Sequence, residues 1–260
     1  MKKALFFDID GTLVSFETHQ IPKSTIKALK LAKEKGHRLF IATGRPKAII
    51  NNLDVLGDSF FDGFITMNGG YCFTEEKVIH QSNIPESDVV ALANYCEKNN
   101  HPVIFVYEHN VAVANTNKML EEIFYDYLKV DKIPTIAFDQ VTKDKVFQIT
   151  PFLTLEQEQE ILEKMPNCET ERWFPAFTDF VAKGNTKQRG IDEIINYFNI
   201  PLEDTIAFGD GGNDISMLKH ANIGVAMGNA HNDVKKHADM VTSTVDNNGI
   251  WNAMNELSLL

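Results

Sequence analysis

A chain of 260 residues with 43% hydrophobic and 23% charged residues has an ordinary globular composition and can bury a substantial core, as one large domain or two modest ones. Its 36 acidic residues against 25 basic ones leave a net charge of −11, which argues against a nucleic-acid partner because phosphate backbones demand a basic footprint. No stretch approaches the roughly 20 apolar residues of a membrane span. A small anion is still an acceptable ligand if a local cation or metal receives it.

Lys2 and Lys3 precede only a short apolar run broken at Asp8, so no secretory signal is read there and the chain is expected in the cytoplasm. The three cysteines, Cys72, Cys96 and Cys168, are odd in number and widely spaced. They fit neither a disulfide framework nor a metal knuckle, and are expected to be reduced and structural.

The first element is the apolar run Ala4-Leu5-Phe6-Phe7, which stops abruptly at Asp8-Ile9-Asp10-Gly11-Thr12. A short apolar run suits a buried parallel strand, and its polar end suits the sheet edge where open α/β folds bind ligands. Taken alone, the same residues read first as a strand followed by an Asp-Gly turn. Ile21-Pro22 with Ser24 and Thr25 starts a helix that runs to Gly36. A second strand, Arg38 to Ala42, breaks off at Thr43-Gly44-Arg45-Pro46, with Pro46 suited to the first turn of a following helix. Phe64 to Met67, ending at Asn68-Gly69-Gly70, repeats the pattern. Alternating strands and helices predict a parallel sheet.

From about Ile84 the texture changes. A helix over 87–99, strands at 102–106 and 111–114 joined by a turn at Glu108-His109-Asn110, helices over 118–127 and 155–164, and a strand over 145–150 predict a second, α+β unit. It closes with the aromatic-rich 173–180, where Pro175 separates two extended pieces whose rings, Trp173 among them, are expected to pack in a core rather than line a pocket. The parallel texture returns with a helix over 186–197 and a strand over 205–208 ending in Gly209-Asp210-Gly211-Gly212-Asn213-Asp214. Short strands over 223–226 and 239–242 and a helix over 250–257 follow. The chain therefore reads as a Rossmann-like α/β core, residues 1–83 and 184–260, with an α+β domain inserted over 84–183.

In a parallel sheet the polar strand ends share one edge, so Asp8, Asp10, Asp210 and Asp214 converge although some stand about 200 positions apart. Two carboxylates about 4 Å apart repel by roughly 4 kcal/mol at an effective dielectric near 20, so such a cluster needs a cation. Oxygen-only ligands favour a hard metal, Mg²⁺ above Ca²⁺ where waters and a phosphate complete an octahedron. Each feature also has a plain structural reading. Asn213 or Asp214 can cap the helix beginning near Ile215, Thr43 can cap the helix after its strand, and Lys187 can sit in solvent like most lysines. Thr43 and the Gly44 N–H at a strand-to-helix junction otherwise suit an anion, with Lys187 as its cation.

The order of these motifs is more specific than any one of them. Asp8-Ile9-Asp10-Gly11-Thr12, then Thr43-Gly44-Arg45, then Lys187 on a helix, then Gly209-Asp210-Gly211-Gly212-Asn213-Asp214 closely resembles the haloacid dehalogenase superfamily of phosphatases. The resemblance is to the Cof-like sugar-phosphate branch, which carries a large type IIB cap between the second and third motifs. It spans nearly the whole chain. Asn68-Gly69-Gly70, Met227-Gly228-Asn229-Ala230 and Asn248-Gly249-Ile250 sit where that branch carries further signatures. Thr186-Lys187-Gln188 departs mildly, since a small residue and a glycine often flank the lysine.

The resemblance implies a Mg²⁺-dependent hydrolysis of small phosphate monoesters, hexose phosphates foremost. Asp8 would be the nucleophile and Asp10 the general acid and then base. Mg²⁺ would be held by Asp8, the Asp10 carbonyl and Asp210, with Asp214 fixing a metal-bound water. Thr43, Gly44, Lys187 and Asn213 would hold phosphoryl oxygens. Arg45 and Asn68 are further candidates for touching the sugar, and the cap would set substrate choice. A phosphomutase and a non-catalytic sugar-phosphate-binding protein are the competing expectations, and a monomer or weak homo-oligomer is expected. None of the eight histidines reads as catalytic.

Overall fold

The structure is a computed structural model that describes residues 2–50, 53–57, 59–128 and 130–260; the expected packing of the Trp173 ring lies outside the described residues. The fold is α/β. The chain divides into two compact units, one formed by 1–44, 50–81 and 186–260, the other by 45–49 and 82–185.

The first unit is built on an eight-stranded sheet. Its first strands are β1 (Ala4–Phe7), β2 (Arg38–Ala42) and β3 (Gly63–Thr66), with helix α1 (Lys23–Glu34) between β1 and β2. β4 (Tyr71–Phe73) and β5 (Val78–Gln81) then form an antiparallel edge on β3, a hairpin not expected from the sequence. Three-residue β4 follows its neighbour too closely to show a period of its own.

The second unit interrupts the first at this point. Its elements in order are α2 (Glu86–Asn99), β6 (Val103–Tyr107), β7 (Val111–Ala114), α3 (Lys118–Leu120), β8 (Val146–Pro151), α4 (Leu155–Leu162), β9 (Cys168–Phe174) and β10 (Phe177–Ala182). Five antiparallel strands pair in the order β7-β6-β8-β10-β9. The turn at 108–110 closes β6 onto β7, with Tyr107 N donating to Asn110 O at 2.9 Å. The helix expected over 118–127 is α-helical only in α3 and continues as a π-helix, Glu121–Tyr127. One face of the sheet packs Phe105, Ile149 and Phe180 against α2 and α4. Phe174 and Phe177 stack at 5.1 Å in a cluster with Phe124 and Phe152, so these rings pack on one another.

The first unit resumes with α5 (Lys187–Phe198), β11 (Thr205–Gly209), α6 (Ile215–His220), β12 (Ile223–Ala226), α7 (Asn232–Lys235), β13 (Met240–Val241) and α8 (Gly249–Glu256). Strand order is β13-β12-β11-β1-β2-β3-β4-β5, parallel from β13 to β3. β1 lies between β11 and β2, so residues from opposite ends of the chain finish side by side. Strand alternation sends Leu5, Phe7, Leu39 and Ile41 to one face and Ala4, Phe6, Phe40 and Ala42 to the other, and helices cover both. After Pro46 the chain makes only a short 3-10 turn, Lys47–Ile49, where a helix was expected.

Candidate active site

β1 ends at Phe7, and the next residue is Asp8, whose N–H donates to Phe208 O of β11 at 3.0 Å. That ladder contact fixes the backbone just before the chain leaves the sheet. Asp8 is 6% exposed, so its carboxylate is held where water reaches it poorly.

Lys187 is the group that answers it. α5 begins at Lys187 after Thr186, whose hydroxyl accepts from Arg189 N at 3.1 Å as the N-cap. The buried residues of α5 are Lys187, Gly190, Ile191, Ile194 and Ile195, a stripe spaced i, i+3, i+4, i+7 and i+8. Helical period therefore turns Lys187 inward along with its apolar neighbours. Its Nζ donates to Asp8 Oδ1 at 2.6 Å and to Asp214 Oδ1 at 2.5 Å, and the side chain is fully buried. A lysine on the apolar stripe is a signal that the sequence held, because a buried ammonium requires partners.

The loop after β11 brings the remaining carboxylates. Asp214 Oδ2 accepts from Asp210 N and Gly211 N, each at 2.8 Å, so its side chain folds back over its own loop and makes no cap bond to α6. Asp214 therefore does not cap α6, since both of its oxygens are engaged elsewhere. Asp210 Oδ1 accepts from Thr12 Oγ1 at 2.9 Å. Among the described residues, Asp8, Asp210 and Asp214 each offer a ligand atom within 4.8 Å of the others. The carboxylate of Asp10 is not one of this group, although its charge is felt at Asp8. Of the four carboxylates expected to converge from the strand ends, Asp8, Asp210 and Asp214 have the spacing of metal ligands, and Asp10 acts on Asp8 through its charge.

The electrostatics follow from this crowding. Burial, with the charges of Asp214 and Asp10, pushes Asp8 up to about 7 against the opposing pull of Lys187. Burial, followed by Asp8 and Asp214, also holds Asp210 well above the usual carboxylate range, although Thr12 and Lys187 oppose this. For Lys187, burial disfavours the ammonium, but Asp214 and Asp8 outweigh it and the net shift is upward. When all three carboxylates are ionised they face one ammonium and leave an excess of two negative charges. An oxygen-only set with that charge fits a hard divalent cation.

A second group of polar residues lies at the ends of β2 and β3. Thr43, 1% exposed, donates its N–H to Ile65 O at 2.8 Å, and its carbonyl accepts from Asn68 N at 3.2 Å. Asn68 is in the left-handed region at φ 52°, and its Oδ1 accepts from Asn213 Nδ2 at 3.1 Å. Its Nδ2 is buried with no partner. The Asn68 amide rests on Gly44, where a Cβ would come 3.1 Å from Oδ1. Thr43, Gly44, Asn68 and Asn213 are therefore brought together, and Asn213 links them in sequence to Asp214. Arg45 falls in the second unit, where its Nη1 donates to Ile49 O at 3.2 Å.

Thr12, Asn229 and a buried polar row in the second unit have no role that is legible in the sequence. That row runs from Gln148 Nε2 to Thr150 Oγ1 at 3.3 Å and from Thr150 Oγ1 to Asp179 Oδ1 at 2.6 Å. Its trace in the sequence is Gln148 and Thr150 at alternate places in one β-prone run, with Asp179 in another.

The chain matches the haloacid dehalogenase-like hydrolase family over residues 5–254. It is 35% identical over 260 residues to Putative phosphatase YkrA of Bacillus subtilis (strain 168), covering 99% of this chain and 98% of that one. Among solved structures it is similar to the HAD subclass IIB sugar phosphatase BT4131, with 59% identity, TM-score 0.96 and full coverage of both chains. BT1666 from Bacteroides thetaiotaomicron, described among phosphatases of that superfamily, is 33% identical with TM-score 0.90, covering 100% of this chain and 96% of that one. This chain belongs to the haloacid dehalogenase-like hydrolases, among the Cof-like phosphatases of that superfamily.

Proposed function

We propose that the protein is a Mg²⁺-dependent phosphatase that hydrolyses phosphate monoesters of small metabolites, hexose phosphates foremost, through a covalent intermediate on Asp8. The observation that carries this reading is the buried Asp8–Lys187–Asp214 arrangement with Asp210 completing the three carboxylates. The similarity to a sugar phosphatase over the full chain supports the substrate class.

An Asp8 oxygen attacks phosphorus, the bond from phosphorus to the ester oxygen breaks, and Asp10 gives its proton to the departing alkoxide. Asp10 then takes a proton from water as that water attacks phosphorus, the bond to Asp8 breaks, and inorganic phosphate leaves. Asp8, the Asp10 carbonyl and Asp210 would hold Mg²⁺, with Asp214 beside them. When bound, the ion offsets the repulsion between the carboxylates and an anionic substrate. Thr43, the Gly44 N–H, Lys187 and Asn213 receive the phosphoryl oxygens, placing donors where charge develops. The unpartnered Nδ2 of Asn68 supports a role for that residue toward the substrate. Arg45 is proposed to touch the sugar.

The partner in this reading is a small phosphate ester, handled in the cytoplasm by a monomer or weak homo-oligomer. The net charge of −11 disfavours nucleic acid. Among the described residues no helix is long and apolar enough to cross a membrane.

The test is phosphate release from a panel of sugar phosphates, nucleotides and pyridoxal phosphate, each with Mg²⁺ and with a chelator. Hexose phosphates should be hydrolysed well and chelation should stop the reaction. Turnover that survives chelation would overturn the metal role, and isomerised sugar phosphate with little free phosphate would make the protein a mutase.

A further inference from the structure

Asn229 stands in the loop after β12, within the Gly-Asn-Ala signature that the proposed chemistry leaves without a task. Its amide makes bonds to three separate segments. Nδ2 donates to Gly11 O at 2.9 Å and to Asp210 Oδ2 at 3.2 Å, while Oδ1 accepts from Val245 N at 3.0 Å. A neutral amide is the side chain that offers two donors on one atom and an acceptor on another. A carboxylate would lose both donors, and a hydroxyl cannot reach three segments.

The consequence falls on Asp210. Its Oδ1 accepts from Thr12 Oγ1 at 2.9 Å and its Oδ2 from Asn229, so each oxygen has one fixed donor. A carboxylate oxygen has two lone-pair directions, and one on each remains for a cation. The fit is close. Gly11 is at φ +79°, and a Cβ there would stand 2.2 Å from Asp210 Oδ2, so the same loop that supplies the Gly11 carbonyl to Asn229 also walls in Asp210. Rotation of the Asp210 carboxylate would break both donor bonds.

We propose that Asn229 is a positioning residue for the metal site, orienting the Asp210 carboxylate jointly with Thr12 and locking the Asp10–Gly11 turn against it. The inference rests on the reading of Asp210 as a Mg²⁺ ligand. Hydrogen bonds behind a ligating carboxylate characteristically govern metal affinity, and their loss costs about 10–100-fold.

The test compares wild type, Asn229→Ala and Thr12→Val by calorimetric titration with Mg²⁺ alone, and by the rise in melting temperature of each protein on adding Mg²⁺. Both variants should bind Mg²⁺ about 10–100-fold more weakly, with a smaller Mg²⁺-induced rise, and in kinetics the Mg²⁺ requirement should increase more than the substrate KM. The melting readout is a difference within one variant, so a destabilised Asn229→Ala protein still reports. Wild-type Mg²⁺ affinity in Asn229→Ala, with only a lower metal-free melting temperature, would reduce Asn229 to a loop tie and overturn the inference. Wild-type protein that binds no Mg²⁺ and works in chelator would overturn the metal reading itself, and the inference with it.

Discussion

Lys187 Nζ lies 2.6 Å from Asp8 Oδ1, joining residues 179 positions apart, and donates equally closely to Asp214. Removing one partner from a buried ion pair costs about 3–5 kcal/mol, because a charge is left in a poorly solvated place. Lys187→Met should therefore abolish hydrolysis and lower the metal-free unfolding free energy by about that amount. Mg²⁺ should restore part of the stability and none of the activity. Urea titrations with and without the ion would measure both.

Asp8→Asn tests the nucleophile separately from the fold. Burial already pushes Asp8 up to about 7, so the protein pays a cost to keep this carboxylate charged, and a neutral amide of the same shape relieves it. The variant should show no phosphate release while its metal-free urea midpoint is no lower than that of wild type. Undiminished hydrolysis would refute the assignment of Asp8.

Gly69 sits at φ +93°, and a Cβ there would lie 2.1 Å from Thr186 O, the residue that caps α5. Gly69→Ala would strain the backbone and push against the start of the helix that carries Lys187. A loss of about 1–3 kcal/mol from overpacking is expected, together with a fall in kcat larger than any change in KM. Thermal melting and steady-state kinetics would show whether the two losses occur together.

In the second unit, Thr150 donates to Asp179 Oδ1 at 2.6 Å, and the two residues are 3% and 2% exposed. Thr150→Val preserves shape and deletes that donor. It should cost about 1–3 kcal/mol in urea unfolding, the penalty for depriving a buried acceptor.

His37 gives a pH dependence that can be signed. Lys3 N donates to its Nδ1 at 2.9 Å, which requires that nitrogen unprotonated, and burial, aided by Lys35 and Lys3, holds its pKa below the ordinary 6.5. Above 6.5 both folded and unfolded chains carry the neutral ring. As pH falls below 6.5 the unfolded chain takes up the proton first, so stability is lost progressively towards the folded-state pKa. His37→Asn keeps an acceptor for Lys3 N and should lose less stability than wild type between about pH 7.5 and 5.5. Burial also lowers His80 and His101, so some slope should remain.

The apolar runs that become β1, β2 and β11 were legible because parallel strands buried on both faces read as unbroken hydrophobic stretches. The polar residues that end them were legible for the same reason, as was the interruption of one sheet by another unit. Asn229 could not be read this way. Its partner Gly11 is 218 positions away, and a single asparagine in a loop has no period to betray it. The inward turn of Asp214 was hidden too, since an Asp at a helix start reads first as a cap.

The succession of strands and helices along most of the chain, the chemistry available at the strand ends and the family were determined by the sequence, because hydrophobic period and residue type are local properties. What tertiary structure alone decided is which of those residues meet. β1 pairs with β11 rather than only with its neighbour in sequence, and this sets Asp8 beside Asp210 and Asp214. It leaves the Asp10 carboxylate outside that group, and it gives Lys187 two carboxylates on which a buried ammonium can depend. Such pairings are sums of long-range packing over the whole sheet, and no short stretch of the chain contains them.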